Sequence, residues 1–368
     1  MISGVHKETS SKIDSTVRVF HVGGRGGTGP VECLFRLGED LSLSIFEANI
    51  EGGDNSWDDY GDLITDYAKR YGIELSVIPR CLSNHVGRRN FHINVMPDCS
   101  SLLNMNPDAK NYSRLDRDLY RVIWGQICRP TRTVDIEVTT LDKLYADRLV
   151  QMPHFLSLDV QGAEYEILEG ALKLLQGDLM GVISEVEFRE LYESQKLFMD
   201  QYALLKNHHF GLFDLYNCES WYSGPIIDKG ALTVAEALFL RDFRYFVEKD
   251  KDPAILLTNL SKLAIVAYCF ERSSYAFEIL EYINNNWRHE WETFIKRNSS
   301  KYLRNLEKNY QHIKTYQPRS ERMPTYLEFM AMSPGGLRRY KVSRRLKSFF
   351  NSAYNVSLRK IVNKLRQR

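Results

Sequence analysis

Phe155-Leu-Ser-Leu-Asp-Val-Gln-Gly-Ala-Glu-Tyr-Glu-Ile-Leu-Glu-Gly-Ala171 is the stretch that decides the fold. Its first half is a short strand pattern that stops at Asp159. Its second half is helical, with Ile167, Leu168, Ala171, Leu172 and Leu175 at three- and four-residue spacing. Gly162 is the hinge, because a residue without a side chain tolerates a tight turn. This order sets Asp159, Gln161 and Glu164 at the carboxyl end of a buried strand, the edge where open α/β sheets bind ligands. An apolar run that ends in an acid is costly to fold unless the acid has a partner or a task.

Working outward, the same texture recurs on both sides. Val17–Val22 is a short buried strand, and Leu41–Phe46 and Glu74–Ile78 are a second and a third. A helix is expected over Trp57–Tyr71, a strand over Asn90–Val95, a helix over Leu115–Cys128 and an edge or hairpin strand over Thr133–Thr139. Strand and helix then alternate through Met180–Phe188, Phe198–His208, Gly211–Tyr216 and Val234–Leu240. Such alternation predicts an α/β fold with a mostly parallel sheet covered by helices on both faces. After Asp252-Pro253 the pattern turns helical. Ile255–Phe270 and Ser274–Asn286 read as an αα-hairpin, followed by a charged helix over Trp287–Tyr316 and a short one over Pro324–Met332. The expected division is a main α/β domain over residues 1–247, a helical appendage over 248–334 and a basic tail over 335–368.

Composition is that of a folded soluble chain: 368 residues, 43% hydrophobic and 26% charged, with a net charge of +2. The charge is unevenly placed. Arg338–Arg368 holds eleven Lys and Arg and no acid, so the rest of the chain is acidic by nine. Six cysteines are scattered with no C-x-x-C pair, which suits free thiols in a reducing compartment. Met1–Ser15 is polar and mixed in charge, unlike a signal peptide, and no apolar run has the length of a membrane span. A cytoplasmic location is expected.

Two constellations carry chemistry. The first is Gly23-Gly-Arg-Gly-Gly-Thr-Gly-Pro30, after the first strand. Its glycines allow close approach of a bulky ligand, and Pro30 suits the first turn of a helix. Glu47 follows the second strand, about twenty residues on, where nucleotide-binding α/β folds place a carboxylate for ribose hydroxyls. S-adenosylmethionine (SAM) and NAD both use this geometry. The second constellation is acidic. Asp159 and Gln161 share one face, as do Glu185 and Glu187 on the expected next strand. Glu164 lies in the first turn of its helix, where the dipole favours an anion. Adjacent strands lie about 4.8 Å apart, so these groups can converge. Clustered carboxylates have raised pKa values and make better bases. Their oxygens would also suit magnesium or calcium, although a metal-free site is the expectation. Glu187 could instead pair with Arg189. Tyr192, Trp221 and Tyr222 could stack on a sugar face or cap the core.

Asp159-x-Gln-Gly-x-Glu164 before an apolar helix, then a strand ending Glu185-Val-Glu187-Phe188, resembles the FkbM-type family of SAM-dependent O-methyltransferases. His21-Val-Gly-Gly-Arg-Gly-Gly27 is similar to the glycine loop of the branch with Gly-Ala-Arg-Gly-Gly. Phe46-Glu47, Cys99-Ser-Ser-Leu102, Thr139-Thr-Leu-Asp142, Gly211-Leu-Phe-Asp214 and Ala237-Leu-Phe-Leu240 have counterparts in the same order. The resemblance covers roughly Val17 to Asp242 and implies a Rossmann-like seven-stranded sheet. It implies SAM as cofactor and a hydroxyl acceptor, of which a carbohydrate or surface-glycan precursor fits best. The expected cofactor-binding residues are Gly23, Gly24, Arg25, Gly27, Glu47, Ser83 and Asp159, and the expected catalytic residues are Asp159, Glu164 and Glu185. One departure stands out: the family usually has Asp at the position of His21, where an acid would attract the ammonium group of SAM.

Two other readings stay open: an NAD-linked oxidoreductase on a similar sheet, and a non-catalytic relative that only binds. The tail allows a peripheral membrane contact. Val342, Leu346, Phe349, Ala353, Leu358, Ile361 and Leu365 roughly follow helical spacing among basic residues. Nucleic acid is a poorer partner, because the acidic body would repel phosphate.

Overall fold

A computed structural model describes residues 14–23, 27–48, 55–116, 120–225, 228, 230–298 and 300–315. Gly24 and Arg25 of the glycine loop, the short helix expected over Pro324–Met332 and the basic tail lie outside these residues. Residues up to Lys308 form one compact unit and those from Asn309 a second.

The central sheet is built from β1 (Val17–Val22), β2 (Leu41–Phe46) and β3 (Glu74–Ile78), then β9 (Phe155–Leu158), β10 (Gly181–Glu187), β11 (Phe210–Trp221) and β12 (Ala231–Arg241). The intervening elements are α1 (Asn55–Tyr71), β4 (Cys81–Leu82), β5 (Gly87–Asn94), β6 (Ser113–Asp116), β7 (Tyr120–Ile123), α2 (Trp124–Ile127), β8 (Pro130–Thr139) and α3 (Leu141–Ala146). Helices α4 (Glu164–Glu169), α5 (Leu172–Leu175) and α6 (Phe198–Asn207) alternate with the later strands. Helices α7 (Phe243–Lys249), α8 (Pro253–Cys269), α9 (Ser273–Asn286), α10 (Arg288–Arg297) and α11 (Lys301–Thr315) close the described chain.

The sheet has seven strands in the order β11-β12-β10-β9-β1-β2-β3. All neighbours from β10 to β3 are parallel, while β12 runs antiparallel to both β10 and β11. Strands with both faces covered need near-continuous apolar runs. Phe155, Leu156 and Leu158 of β9 are at most 2% exposed, and each such side chain contributes about 1.5–3 kcal/mol by leaving water. One face of the core joins Phe20, Val22, Leu156, Leu158 and Val182 to Ile167, Leu168 and Leu175 of the following helices.

The sequence expectations meet three local corrections. The helix expected over Leu115–Cys128 is instead the hairpin β6–β7 and the single turn α2. The backbone of Ser113 pairs with Tyr222, which sets β6 beside the end of β11, and long-range pairing outweighs the weak helical spacing. Second, β8 is neither an edge strand nor simply half of a hairpin. It is the middle strand of a separate three-stranded sheet, β4-β8-β5. Third, the helix expected from Ala163 to Leu175 is two pieces. Gly170 stands at the break and is closely packed, since a Cβ there would lie 2.3 Å from the Ser83 carbonyl oxygen.

Candidate functional site

The carboxyl ends of β1, β2 and β9 meet at Gly23. Its φ is +97°, and an added Cβ would fall 1.6 Å from the carbonyl oxygen of Asp159. Only glycine allows the loop to cross the end of β9 this closely. The Gly23 amide donates to the Phe46 carbonyl at 3.1 Å, which ties the loop to β2. Gly27, also at φ +97°, is held differently. Its carbonyl accepts from His21 Nε2 at 2.8 Å, while His21 Nδ1 lies 3.0 Å from Ser157 Oγ. The tautomer that satisfies both contacts is Nε2–H, with Nδ1 accepting from the serine hydroxyl. His21 is fully buried, and burial pushes its pKa down to about 4. The ring is therefore neutral at physiological pH. It braces the glycine loop instead of offering a charge to a ligand, which gives the departure from Asp a structural role.

A groove with about 650 Å³ of free space, open mouth included, runs along this edge. Gly23, Glu47, Arg80, Phe91, Asp159 and Gln161 are among its lining residues. Glu47 sits at the end of β2, largely buried, with its amide on the Ile78 carbonyl at 3.2 Å. Ser83 is placed elsewhere. It is buried, donates to Glu166 at 3.1 Å and accepts from Arg89 at 3.2 Å, beside the Arg89–Glu166 ion pair.

The turn after β9 presents the acidic groups. Gln161 has φ +59°, an unusual value for a residue with a side chain. Its backbone carbonyl is pinned by Ser101 Oγ at 2.7 Å. In this pose one amide nitrogen spans two acids: Gln161 Nε2 donates to Asp159 Oδ1 at 2.9 Å and to Glu185 Oε2 at 3.0 Å. Tyr192 Oη donates to Gln161 Oε1 at 3.3 Å and so fixes the orientation of the amide. Burial pushes the Asp159 carboxyl up to about 6, with the charges of Glu236 and Asp98 adding to it against the bond from Gln161. Burial, then the charges of Asp159, Glu187 and Glu164, hold Glu185 well above the usual carboxylate range. Burial thus raises both carboxyls of the bridge, Glu185 with the further push of three acidic neighbours.

Glu164 is brought near these groups but turned away from both cavities. It is fully buried, and its Oε1 accepts from the amides of Val160 at 2.8 Å and Gly162 at 3.3 Å. It shapes the turn that carries Gln161, and burial raises its pKa to about 7. Glu187 does not pair with Arg189, which donates to Tyr112 Oη at 2.6 Å and lies over that ring. Among the described residues, no group of three or more His, Cys, Asp or Glu is arranged to hold a metal ion, and no helix is long and apolar enough to cross a membrane.

A second and larger cavity, with about 1210 Å³ of free space, open mouth included, is also lined by Gln161. Gln161 lines both spaces, Asp159 only the first and Glu185 only the second. The second cavity is walled by residues that sequence reasoning passed over: Arg114, Tyr120, Trp124, Glu219 and Glu236. Glu236 did carry a signal, an acid inside the apolar strand Val234-Ala-Glu-Ala-Leu-Phe-Leu240. Tyr120 and Trp124 come from the segment taken for a helix, Arg114 from just before it and Glu219 from β11. Of the aromatic candidates, Trp221 ends β11 and packs edge-on against Trp124 at 5.3 Å, while Tyr192 packs on Trp124 from another side at 5.5 Å. Both cap a core cluster, and Trp221 also faces the cavity.

Residues 66–212 match the family model described as the methyltransferase FkbM domain. That span holds Asp159, Gln161, Glu185 and Tyr192, and begins after the glycine loop and Glu47. The crystal structure of methyltransferase FkbM from Methylobacillus flagellatus KT is similar at 12% sequence identity and a TM-score of 0.34, over 61% of this chain and 44% of that one. This chain therefore spans less than half the length of that relative. No match was found to a curated protein. Residues 66–212 are thus similar to the methyltransferase FkbM domain, on an α/β fold with a seven-stranded, mostly parallel central sheet.

Proposed function

We propose that the protein is a SAM-dependent O-methyltransferase whose acceptor is a hydroxyl of a carbohydrate or glycan precursor. The observation that carries this reading is Gln161. It stands between a groove and a cavity, and its single amide nitrogen holds the carboxyls of Asp159 and Glu185. Two ligand spaces that meet at a carboxylate pair suit transfer of a group between two bound molecules.

The groove fits the cofactor on two grounds. Gly23 lets the loop backbone cross the end of β9 at the groove wall, where no side chain fits, and Glu47 is a buried carboxylate positioned after β2 for ribose hydroxyls. SAM, when bound, supplies an electrophilic methyl group. The chain's own residues supply alignment and a base. Alignment alone can lower a barrier by about 7–11 kcal/mol. Asp159, ionised above about pH 6, would be suited to take the acceptor hydroxyl proton where the two spaces meet at Gln161, as the methyl group passes from the sulfonium sulfur to the hydroxyl oxygen. Burial and acidic neighbours raise Glu185 well above the usual carboxylate range, and Asp159 is the base that this reading assigns. A glycan acceptor is supported by the mixed lining of the second cavity, where Tyr120, Trp124 and Trp221 stand among carboxyls and arginines. A role in surface polysaccharide synthesis and a peripheral membrane contact through the tail extend the same proposal.

Calorimetric titration with SAM and with NAD tests it. SAM should bind and NAD should not. Glu47→Ala should weaken SAM by about 1.5–3 kcal/mol, the range for hydrogen bonds to a charged group. NAD binding in preference to SAM would turn the reading toward an oxidoreductase, and unchanged SAM affinity in folded Glu47→Ala would remove Glu47 from the site.

A further inference from the structure

The second cavity has a chemical bias that the methyltransferase reading does not by itself require. Glu185 and Glu187 lie two apart on β10 and so share a sheet face. Glu236 of β12 is the register partner of Glu185. All three line the cavity, and among the described residues none of them forms an ion pair. Of the arginines in the lining, Arg114 is engaged by Glu219 at 3.2 Å and lies over the Trp221 ring at 5.5 Å, and Arg121 is exposed. Asn217 donates to Glu236 Oε1 at 3.0 Å.

One further atom in the same lining, the donor Nε1 of Trp221, a residue 3% exposed, is buried without a hydrogen-bond partner, and the carboxyl of Glu187, only 1% exposed, has the Gln195 amide as its polar neighbour. Buried polar atoms without partners each cost about 1–3 kcal/mol, and such orphans gather where a ligand completes the bonding. An anionic acceptor would meet three carboxyls, and of the two arginines in the lining Arg114 is already engaged by Glu219. An ammonium group would bring three N–H donors to those oxygens, and the Trp221 and Trp124 rings suit a cation. An oxygen next to it would receive the Trp221 N–H.

We propose that this cavity binds an acceptor bearing a primary amine beside the hydroxyl, an amino sugar or similar amino alcohol, with Glu187 and Glu236 on the ammonium and Trp221 Nε1 on the neighbouring oxygen. The proposal deepens the methyltransferase reading and rests on it for the role of the hydroxyl. It selects against uronates and phosphorylated sugars at this site. It also predicts proton release, because burial raises these carboxyls and an incoming ammonium would lower them again.

The test is calorimetric titration of the full chain with glucosamine, glucose, N-acetylglucosamine and glucuronate, in two buffers of different ionisation enthalpy. Glucosamine should bind about tenfold or more tightly than the other three, with a buffer-dependent heat that reports proton release. Glu187→Gln and Glu236→Gln, each confirmed folded by circular dichroism, should each lose about tenfold in glucosamine affinity while keeping wild-type affinity for SAM. Glucosamine that fails to bind, glucuronate or N-acetylglucosamine that binds as well, or two variants that both keep full glucosamine affinity would overturn the proposal. Glucosamine binding in a protein that does not bind SAM would uphold the amine site and overturn the methyltransferase reading instead.

Discussion

Strand β9 carries a buried cluster of ionisable groups at each end, and the two are built in opposite ways. At its amino end, acids and bases satisfy one another. His154 Nδ1 accepts from the Arg18 amide at 2.9 Å, and its Nε2 lies 3.1 Å from Arg18 Nη2 and 3.4 Å from Lys262 Nζ. Lys262, only 3% exposed, also reaches Asp14 at 3.3 Å. Burial pushes the lysine down to about 8, with Asp14 opposing the shift. Burial and the two cations hold His154 well below its ordinary value. Nearby, Arg241 is fully buried yet donates to the carbonyls of Leu175 at 2.7 Å, Leu179 at 2.9 Å and His208, and stacks over Phe210. At the carboxyl end there are acids, amides and a phenol, no ion pair among the described residues, and an orphan oxygen on Glu164. A closed network serves folding. An open one of a single charge sign stores a cost that only a ligand or a proton relieves.

Substitution at each end should therefore separate the two roles. The largest effect is expected from Asp159→Asn, which keeps shape and removes the base. Turnover, followed as S-adenosylhomocysteine release, should fall about 10²–10⁴-fold with little change in melting. Lys262→Ala should do the reverse. Loss of a buried, partnered side chain should lower stability by about 2–4 kcal/mol in denaturant titration, with SAM affinity unchanged. A stable Lys262→Ala protein or an active Asp159→Asn protein would erase the distinction between the two ends.

A smaller and pH-dependent effect is expected at Glu164. Its folded pKa, raised to about 7, exceeds the ordinary 4.5, so the folded state binds more protons across that window. Stability contributed by the protonated carboxyl is complete below about 4.5 and is lost as the pH rises through 7. Glu164→Gln retains an oxygen for the Val160 and Gly162 amides and cannot ionise. It should flatten this decline and gain up to about 3 kcal/mol over wild type above pH 7. Parallel pH–stability curves for the two proteins would show that Glu164 is not held protonated.

Much of the first cluster's neighbourhood, and little of the second cavity, was legible in the sequence. β1, β2, β9 and β10 declare themselves as apolar runs that end in a glycine or an acid, because a strand covered on both faces leaves no room for other residues. Asp159, Gln161 and Glu185 were legible for the same reason, as polar residues where apolar ones should continue. The roles of individual residues were less legible. Nothing in Ser83 or Glu164 as residue types says that one would be drawn into the Arg89–Glu166 network and the other would accept two turn amides. The second cavity was hidden because its walls come from β6, β7, α2, β11 and β12. Their meeting depends on the Ser113–Tyr222 pairing and on Trp124 packing between Tyr192 and Trp221. Such contacts between distant segments leave no periodicity in either one.

The central claim is that the cofactor lies along the groove with its reacting end at Gln161, facing the second cavity. A crystal structure of the protein with S-adenosylhomocysteine tests this most directly. The account predicts ribose hydroxyls on Glu47, the ligand crossing Gly23, and the sulfur directed toward Asp159 and Gln161. A ligand seated elsewhere, or one whose sulfur points away from the Asp159–Gln161–Glu185 bridge, would contradict it.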